Sequence, residues 1–190
     1  MALHKWIKIG EPEILAEKFG RKFFRQNFVN PINGAISDFY LFSMKDSSFV
    51  FPMTDDGKVI TVCQYKQGCH DITHELPAGV CNTSEPHEVT AKRELLEETG
   101  YEAKEMIPMG VGWPDTRSTT IQRFFFLANG CRKVKEPEQD PNEEIEVVLY
   151  DMPDWLDMIK SNEVKELTTI SITLHFILHL GIFRSVLFNI

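Results

Sequence analysis

Hydrophobic and polar residues follow two different periods along this chain, one typical of strands and one typical of helices. Alternating or continuously apolar runs, rich in β-branched and aromatic residues, predict strands at residues 6–9, 36–43, 48–53, 58–65, 103–109, 120–128 and 145–150. Runs with helical spacing, bounded by proline or glycine, predict helices at residues 86–99, 153–159 and 163–180. Strands and helices therefore both contribute to the predicted fold.

The predicted strands near the N-terminus form a group of their own. Pro12 is expected to interrupt the first of them, and turn signals precede the strand at 36–43. We predict a small antiparallel β extension at residues 1–47, ahead of a larger domain at residues 48–190. This extension either contributes to dimer contacts or covers an edge of the main sheet. Its aromatic residues and the apolar residues 185–190 exceed what one domain leaves in water, which predicts a homodimer.

Charge and cysteine usage narrow the choice of partner and compartment. The 190-residue chain has a formal net charge of −8, which argues against a nucleic acid duplex as partner. A small phosphorylated substrate remains compatible with this charge, because a bound metal ion inverts the local field. The four cysteines have no C-x-x-C spacing, and we interpret them as reduced thiols of a cytoplasmic protein.

The C-terminal residues 168–190 are apolar over a length that could cross a membrane. They also contain His175, His179 and Arg184, and such groups are costly in lipid. We interpret the segment as a buried terminal helix followed by an apolar extension, with no membrane as partner.

The helix at residues 86–99 has clear boundary signals. Pro86 suits a first helical turn, and Thr83 and Ser84 can cap the free N–H groups there. Gly100 supplies the left-handed residue that ends such a helix. The residues expected on its buried side are Val89, Ala91, Leu95 and Leu96.

Carboxylates share the opposite side of this helix. At about 100° per residue, Glu94, Glu97 and Glu98 fall within an arc of roughly 100°. Acids at this spacing repel each other, so the cluster is either a solvated surface or a site for a hard divalent cation such as Mg²⁺. Arg93, four residues before Glu97, can pair with that carboxylate and hold it.

The spacing within residues 79–101 favours the metal site. The stretch matches G-x5-E-x7-R-E-U-x-E-E-x-G-U at every position, where U is apolar or aromatic. This pattern resembles the Nudix box, the signature of the Nudix hydrolase family. Residues 64–66 (QYK) and 75–79 (ELPAG) are similar to the branch that cleaves ADP-ribose and nucleoside diphosphate sugars.

The resemblance implies an α/β fold, a Nudix α/β/α sandwich with a mixed sheet, and hydrolysis that depends on Mg²⁺ or Mn²⁺. The metal ligands that it implies are the Ala78 carbonyl and the carboxylates of Glu94, Glu97, Glu98 and Glu143. The residues expected to be structural within the motif are Gly79, Glu85, Arg93 and Gly100, although Glu85 could instead bind the metal directly.

Further candidates concern the reacting groups and the substrate. Glu97 is a candidate catalytic residue, although it could instead serve as the partner of Arg93. In the similar branch the base lies on an acidic loop after the box, which makes Glu143 and Glu144 candidates, unless this loop is only solvated acid. Lys66 and Arg117 are candidates for contacts with substrate phosphate, or are surface charges.

These features predict hydrolysis of a nucleoside diphosphate sugar, similar to ADP-ribose, to a nucleoside monophosphate and a sugar phosphate. A nucleotide-pool or dinucleotide pyrophosphatase is the alternative among enzymes. A Nudix domain that binds a nucleotide sugar as a sensor, without turnover, is the alternative outside enzymes. Residues 112–118 depart from the Ser-Pro-Gly type of signature in the ADP-ribose branch, so the sugar stays unassigned.

Overall fold

The computed structural model describes residues 3–138 and 144–179 of the chain. The described residues divide into two compact units. The first unit combines residues 3–46 with residues 113–122, and the second contains the other described residues. The loop at 113–122 therefore packs with the N-terminal unit, although it lies between two strands of the second unit in sequence.

The first unit is an antiparallel sheet, as predicted, but it has three strands where strands were predicted only at residues 6–9 and 36–43. Its strands are β1 (Ile7–Lys18), β2 (Arg21–Val29) and β3 (Ile36–Ser43). The expectation that Pro12 interrupts the first strand is wrong, because β1 continues through it. The register of β1 against β2 shifts between Ile9 and Glu13, and β1 lies at the edge of the sheet. At such a position the missing N–H of proline is tolerated.

The second unit is built on a mixed sheet of eight strands. These are β4 (Ser47–Thr54), β5 (Lys58–Lys66), β6 (Asp71–Glu75), β7 (Ala78–Val80), β8 (Tyr101–Glu102), β9 (Glu105–Gly112), β10 (Arg123–Lys133) and β11 (Ile145–Asp151). β10 runs parallel to β4 and antiparallel to β9. β7 pairs with β4, and β6 and β11 both pair with β5.

Helices cover both faces of this sheet. They are α1 (His87–Thr99), α2 (Met152–Lys160) and α3 (Leu167–His179). Alternate residues of one strand point to opposite faces, so Val50 packs with Ala91 and Leu95 of α1. Its neighbour Phe51 packs with Trp155 and Phe176, from α2 and α3. The predicted α/β/α sandwich is confirmed.

Helix α1 differs from its prediction at the N-terminus and on its buried side. Pro86 stands at the N-cap position, and no side chain caps the helix, so the expected caps from Thr83 and Ser84 are wrong. Val89 is exposed and Leu96 is only half-buried, whereas the buried residues of the helix are Thr90, Ala91, Leu95 and Thr99. Gly100 ends the helix as predicted, with φ 75° and its N–H donating to the Leu96 carbonyl.

Helix α3 buries Ile172 and Phe176 in the core of the second unit, as expected for the start of the apolar C-terminal segment. Within residues 3–138 and 144–179, every helix is too short or too polar to cross a bilayer. Residues 180–190, which carry the predicted apolar extension, lie outside the described residues.

Candidate functional site

The acidic face of α1 lies against the short strand β7. The Ala78 N–H donates a hydrogen bond to Glu98 Oε2 at 3.0 Å. One residue further, a Cβ atom built on Gly79 would overlap the carboxyl group of Glu94. Two carboxylates from successive helical turns therefore meet two consecutive residues of β7.

Arg93 joins the carboxylates of this face to one another. Its Nη1 lies 2.7 Å from Glu94 Oε1 and 2.9 Å from Glu97 Oε2. Burial by itself would lower the pKa of Arg93, but hydrogen bonds and charges from Glu85, Glu94 and Glu97 outweigh it and raise this pKa. Arg93 therefore stays cationic and offsets part of the repulsion between the acids.

Glu85 ties the loop before α1 to the helix. It accepts hydrogen bonds from the Asn82 N–H at 3.2 Å and from Thr90 Oγ1 at 2.9 Å, and it pairs with Arg93 at 3.4 Å. The hydrogen bonds from Arg93 and then Thr90 lower the pKa of Glu85 to about 2. Thr90 did not feature in the sequence-based prediction, although it lies on the acidic side of α1 at helical spacing.

The donors beside β7 fit a hard divalent cation in their chemistry. Glu94, Glu98 and the Ala78 carbonyl offer only oxygen, which Mg²⁺ prefers, and Mg²⁺ commonly keeps waters and substrate phosphates for its other positions. Across residues 3–138 and 144–179, no three His, Cys, Asp or Glu side chains are gathered into a ready metal site. Glu94 and Glu97 are paired with Arg93 instead.

A cleft of about 430 Å³ opens beside β7 in the second unit. Its lining includes Glu98, Ala78 and Gly79 from the acidic site. It also includes three cationic side chains, Lys66, Arg123 and Lys165. The acidic site and these three cationic side chains thus border the same space.

Each of these cations is held by a carboxylate. Lys66 pairs with Glu75 at 3.1 Å, which brings this predicted substrate residue into the cleft. Arg123 pairs with Glu166 at 3.1 Å, and Lys165 pairs with Asp71 at 2.8 Å. None of the three pairs was predicted, because no local motif connects their members.

The acidic loop that holds the candidate bases is described only at its flanks. Glu143 lies outside the described residues, so its predicted roles as ligand and base stay predictions. Glu144 is exposed and directly precedes Ile145, which pairs with the cleft residue Gln64. On the other flank, the Glu138 N–H donates to the Glu97 carbonyl at 2.8 Å. Both described flanks therefore meet elements of the site.

Arg117 belongs to the first unit, where it lines a second pocket of about 460 Å³. Trp6, Phe28 and Phe39 line the same pocket, and both Trp6 and Phe28 pack edge-to-face on Phe39. The Arg117 N–H donates to Asp115 Oδ1 at 2.8 Å. Its predicted contact with substrate phosphate stays a prediction.

Two curated proteins are similar in sequence to just under two thirds of this chain. A curated relative, ADP-ribose pyrophosphatase of Bacillus subtilis (strain 168), is 34% identical over 121 residues, 63% of this chain and 65% of that protein. Methanol dehydrogenase activator of Bacillus methanolicus is 27% identical over 126 residues, 64% of this chain and 66% of that protein. The match thus spans just under two thirds of both curated relatives.

A solved structure has the same fold over nearly the whole chain. It is described as the crystal structure of ADP compounds hydrolase, with a TM-score of 0.82 and 17% identity, and it covers 95% of this chain and 97% of that one. The NUDIX domain family matches residues 44–167, which is more than half of the 190 residues and includes the motif at 79–101. The chain therefore belongs to the Nudix family.

Proposed function

We propose that this protein hydrolyses the pyrophosphate bond of a nucleoside diphosphate linked to a sugar, giving a nucleoside monophosphate and a sugar phosphate. The observation that carries the proposal is the pair of carboxylates, Glu94 and Glu98, that meet consecutive residues of β7, with Glu98 lining the cleft. The opposite charges in the same cleft, from Lys66, Arg123 and Lys165, suit the phosphates of an anionic substrate.

The residues divide the chemical work of pyrophosphate hydrolysis. A bound Mg²⁺ or Mn²⁺ would neutralise charge on the phosphates, and Glu94, Glu98 and the Ala78 carbonyl would hold it. Glu97, kept in place by Arg93, is a further ligand or catalytic group in this proposal. Glu143 and Glu144 are the proposed bases that take a proton from the attacking water.

ADP-ribose is the first substrate to test. The Bacillus subtilis relative is called an ADP-ribose pyrophosphatase, and the solved structure of the same fold is called a hydrolase of ADP compounds. Cleavage between the two phosphorus atoms of ADP-ribose would release AMP and ribose 5-phosphate. Nucleoside triphosphates, dinucleotides, and binding without turnover are the alternatives that one substrate screen separates.

The screen compares ADP-ribose, ADP- and GDP-linked sugars, a dinucleoside diphosphate and deoxynucleoside triphosphates, each with Mg²⁺ and with EDTA. We expect ADP-ribose or a related sugar nucleotide to have the highest kcat/KM, and EDTA to abolish turnover. A higher kcat/KM for a deoxynucleoside triphosphate would overturn the substrate class. Binding of ADP-ribose with no products, with or without Mg²⁺, would identify a sensor instead.

We also propose that residues 1–47 are a β extension of a Nudix domain at 48–190, and that the protein is a cytoplasmic homodimer. Exposed apolar side chains on the first unit, such as Phe19, Ile32 and Ile36, support the dimer. The four cysteines are free, which supports a reducing compartment.

A further inference from the structure

We propose that Arg123 binds a phosphate group of the substrate, and that Glu166 and Phe49 position its guanidinium for this task. The inference rests on the proposed function, since it names a binding residue of the same cleft. Arg123 lies outside the 79–101 motif and was not predicted from sequence.

The register of three neighbouring strands brings Arg123 to the acidic site. Arg123 opens β10 and pairs with Ser47 of β4, and Ser47 pairs with Val80 of β7. The backbones of Arg123 and Val80 are thus two strand spacings apart, about 10 Å. Val80 directly follows Ala78 and Gly79, which meet the carboxylates of α1. All of these residues line the one cleft.

Two contacts hold the guanidinium of Arg123 before any ligand arrives. Its central carbon lies 5.0 Å from the centroid of the Phe49 ring, and its Nη1 lies 3.1 Å from Glu166 Oε1. The other carboxylate oxygen of Glu166 accepts a hydrogen bond from the Thr169 N–H at 2.6 Å, in the first turn of α3. A side chain that is already ordered loses less conformational entropy when it binds a ligand.

The chemistry of guanidinium distinguishes Arg123 from the other cations of the cleft. It carries five N–H donors in a planar fork, which matches two oxygens of one phosphate. Its hydrogen bond to Glu166 uses Nη1, which is one end of this fork. Of the cleft residues that the structure describes, Arg123 alone carries a guanidinium, whereas Lys66 and Lys165 are point charges.

A purely structural role is the competing explanation, because the pair of Arg123 and Glu166 also ties β10 to the start of α3. The two roles differ in their effect on kinetics. Loss of a structural tie lowers the melting temperature and the amount of active protein, but leaves KM unchanged. Loss of a phosphate contact raises KM at unchanged stability.

The test measures kcat and KM for ADP-ribose at saturating Mg²⁺, with melting curves, for wild type, Arg123→Gln, Arg123→Lys and Glu166→Gln. Arg132→Gln is the matched control, since Arg132 is exposed on the same strand. We expect Arg123→Gln to raise KM by about 10- to 100-fold, as for loss of a charge-assisted hydrogen bond. Arg123→Lys should raise KM less, and Arg132→Gln should match wild type.

Glu166→Gln tests the positioning role. It should raise KM by a smaller factor than Arg123→Gln, and the double variant should have the KM of Arg123→Gln alone. A KM within twofold of wild type for both Arg123 variants overturns the inference. So does a loss of stability with KM unchanged.

Failure of the proposed function is distinguishable from failure of this inference. If wild type turns over none of the substrates, the function fails. Equilibrium binding of ADP-ribose in EDTA then tests Arg123 without catalysis. At least tenfold weaker binding by Arg123→Gln supports its role in the cleft, and equal binding overturns it.

Discussion

The carboxyl group of Glu94 occupies the space where a side chain at Gly79 would begin. Glycine is needed at this position because the Glu94 carboxyl group approaches the backbone closely, and not because the backbone is left-handed. Because β7 and α1 meet through this contact, the position of Glu94 depends on Gly79 having no Cβ. The glycine that opens the motif is therefore part of the acidic site.

Gly79→Ala should remove activity and lower stability together. The added methyl group forces the Glu94 carboxylate away from β7, and overpacking of this kind costs about 1–3 kcal/mol in the free energy of unfolding. A misplaced ligand commonly lowers the rate by about 10²-fold. The measurements are kcat for ADP-ribose with Mg²⁺ and a urea unfolding curve.

Gly68→Ala is the matched control, because a Cβ there meets no atom within 4 Å. Its free energy of unfolding should stay within about 0.5 kcal/mol of wild type. An active Gly79→Ala variant with wild-type stability would show that Glu94 does not need its position beside β7.

Glu85 should make stability depend on pH in the acid range. Its pKa falls from the ordinary 4.5 to about 2 in the folded protein, because Arg93 and Thr90 donate hydrogen bonds to it. A depressed pKa contributes stability that is fully present above pH 4.5 and is lost as the pH falls toward 2. The melting temperatures of wild type and Glu85→Gln should therefore differ most at neutral pH and converge on acidification.

Thr90→Val removes the second of these hydrogen bonds and should show the same trend with a smaller difference. If the difference in melting temperature between wild type and Glu85→Gln widened as the pH fell, the pKa of Glu85 would not be lowered in the folded protein.

The oligomeric state is a separate prediction. Large apolar side chains on the three-stranded sheet are exposed. They include Phe23 and Tyr40, whose stacked rings have centroids 6.1 Å apart. Burying such a surface against a second copy would remove it from water. Light scattering at micromolar concentration should give twice the 21.9 kDa mass of the chain. A monomer mass would remove the dimer from the proposal.

Local signals in the sequence were sufficient to predict the residues at the centre of the site. Gly100, the three acids of α1 and the pairing of Arg93 with Glu97 all follow from helical geometry within a single element. The cap of α1 was missed because the preceding loop is held by Glu85 instead of by Thr83 or Ser84. Glu85 holds the loop partly through its pairing with Arg93, eight residues further along the chain. Local sequence propensity does not predict this pairing.

The contribution of Arg123 and Glu166 to the cleft could not be predicted in the same way. Arg123 and Glu166 are 43 residues apart in sequence. They meet because β10 pairs with β4, and α3 packs on the face of the sheet that carries Phe49 and Phe125. No spacing rule connects them. Pro12 was misjudged for a related reason, since its effect on β1 depends on whether that strand lies at an edge of the sheet.

Glu98→Gln tests the central claim, that the carboxylates beside β7 serve pyrophosphate hydrolysis. The neutral amide oxygen can still accept a hydrogen bond from the Ala78 N–H, and helix propensity is nearly unchanged, so the fold should persist. Removing one charge also relieves repulsion between Glu94 and Glu98, so the melting temperature should stay near or slightly above wild type. A weakened metal ligand should lower kcat by about 10²- to 10³-fold, a loss of roughly 3–4 kcal/mol.

The decisive measurement is kcat for ADP-ribose at saturating Mg²⁺ together with a melting curve, for wild type, Glu98→Gln and Glu88→Gln. Glu88 is the matched control, because it is on the same helix, half-exposed, and paired with Lys92 instead of facing the cleft. We expect that only Glu98→Gln loses activity and that both variants melt close to wild type. A Glu98→Gln variant that melts normally and keeps near-full activity would contradict it.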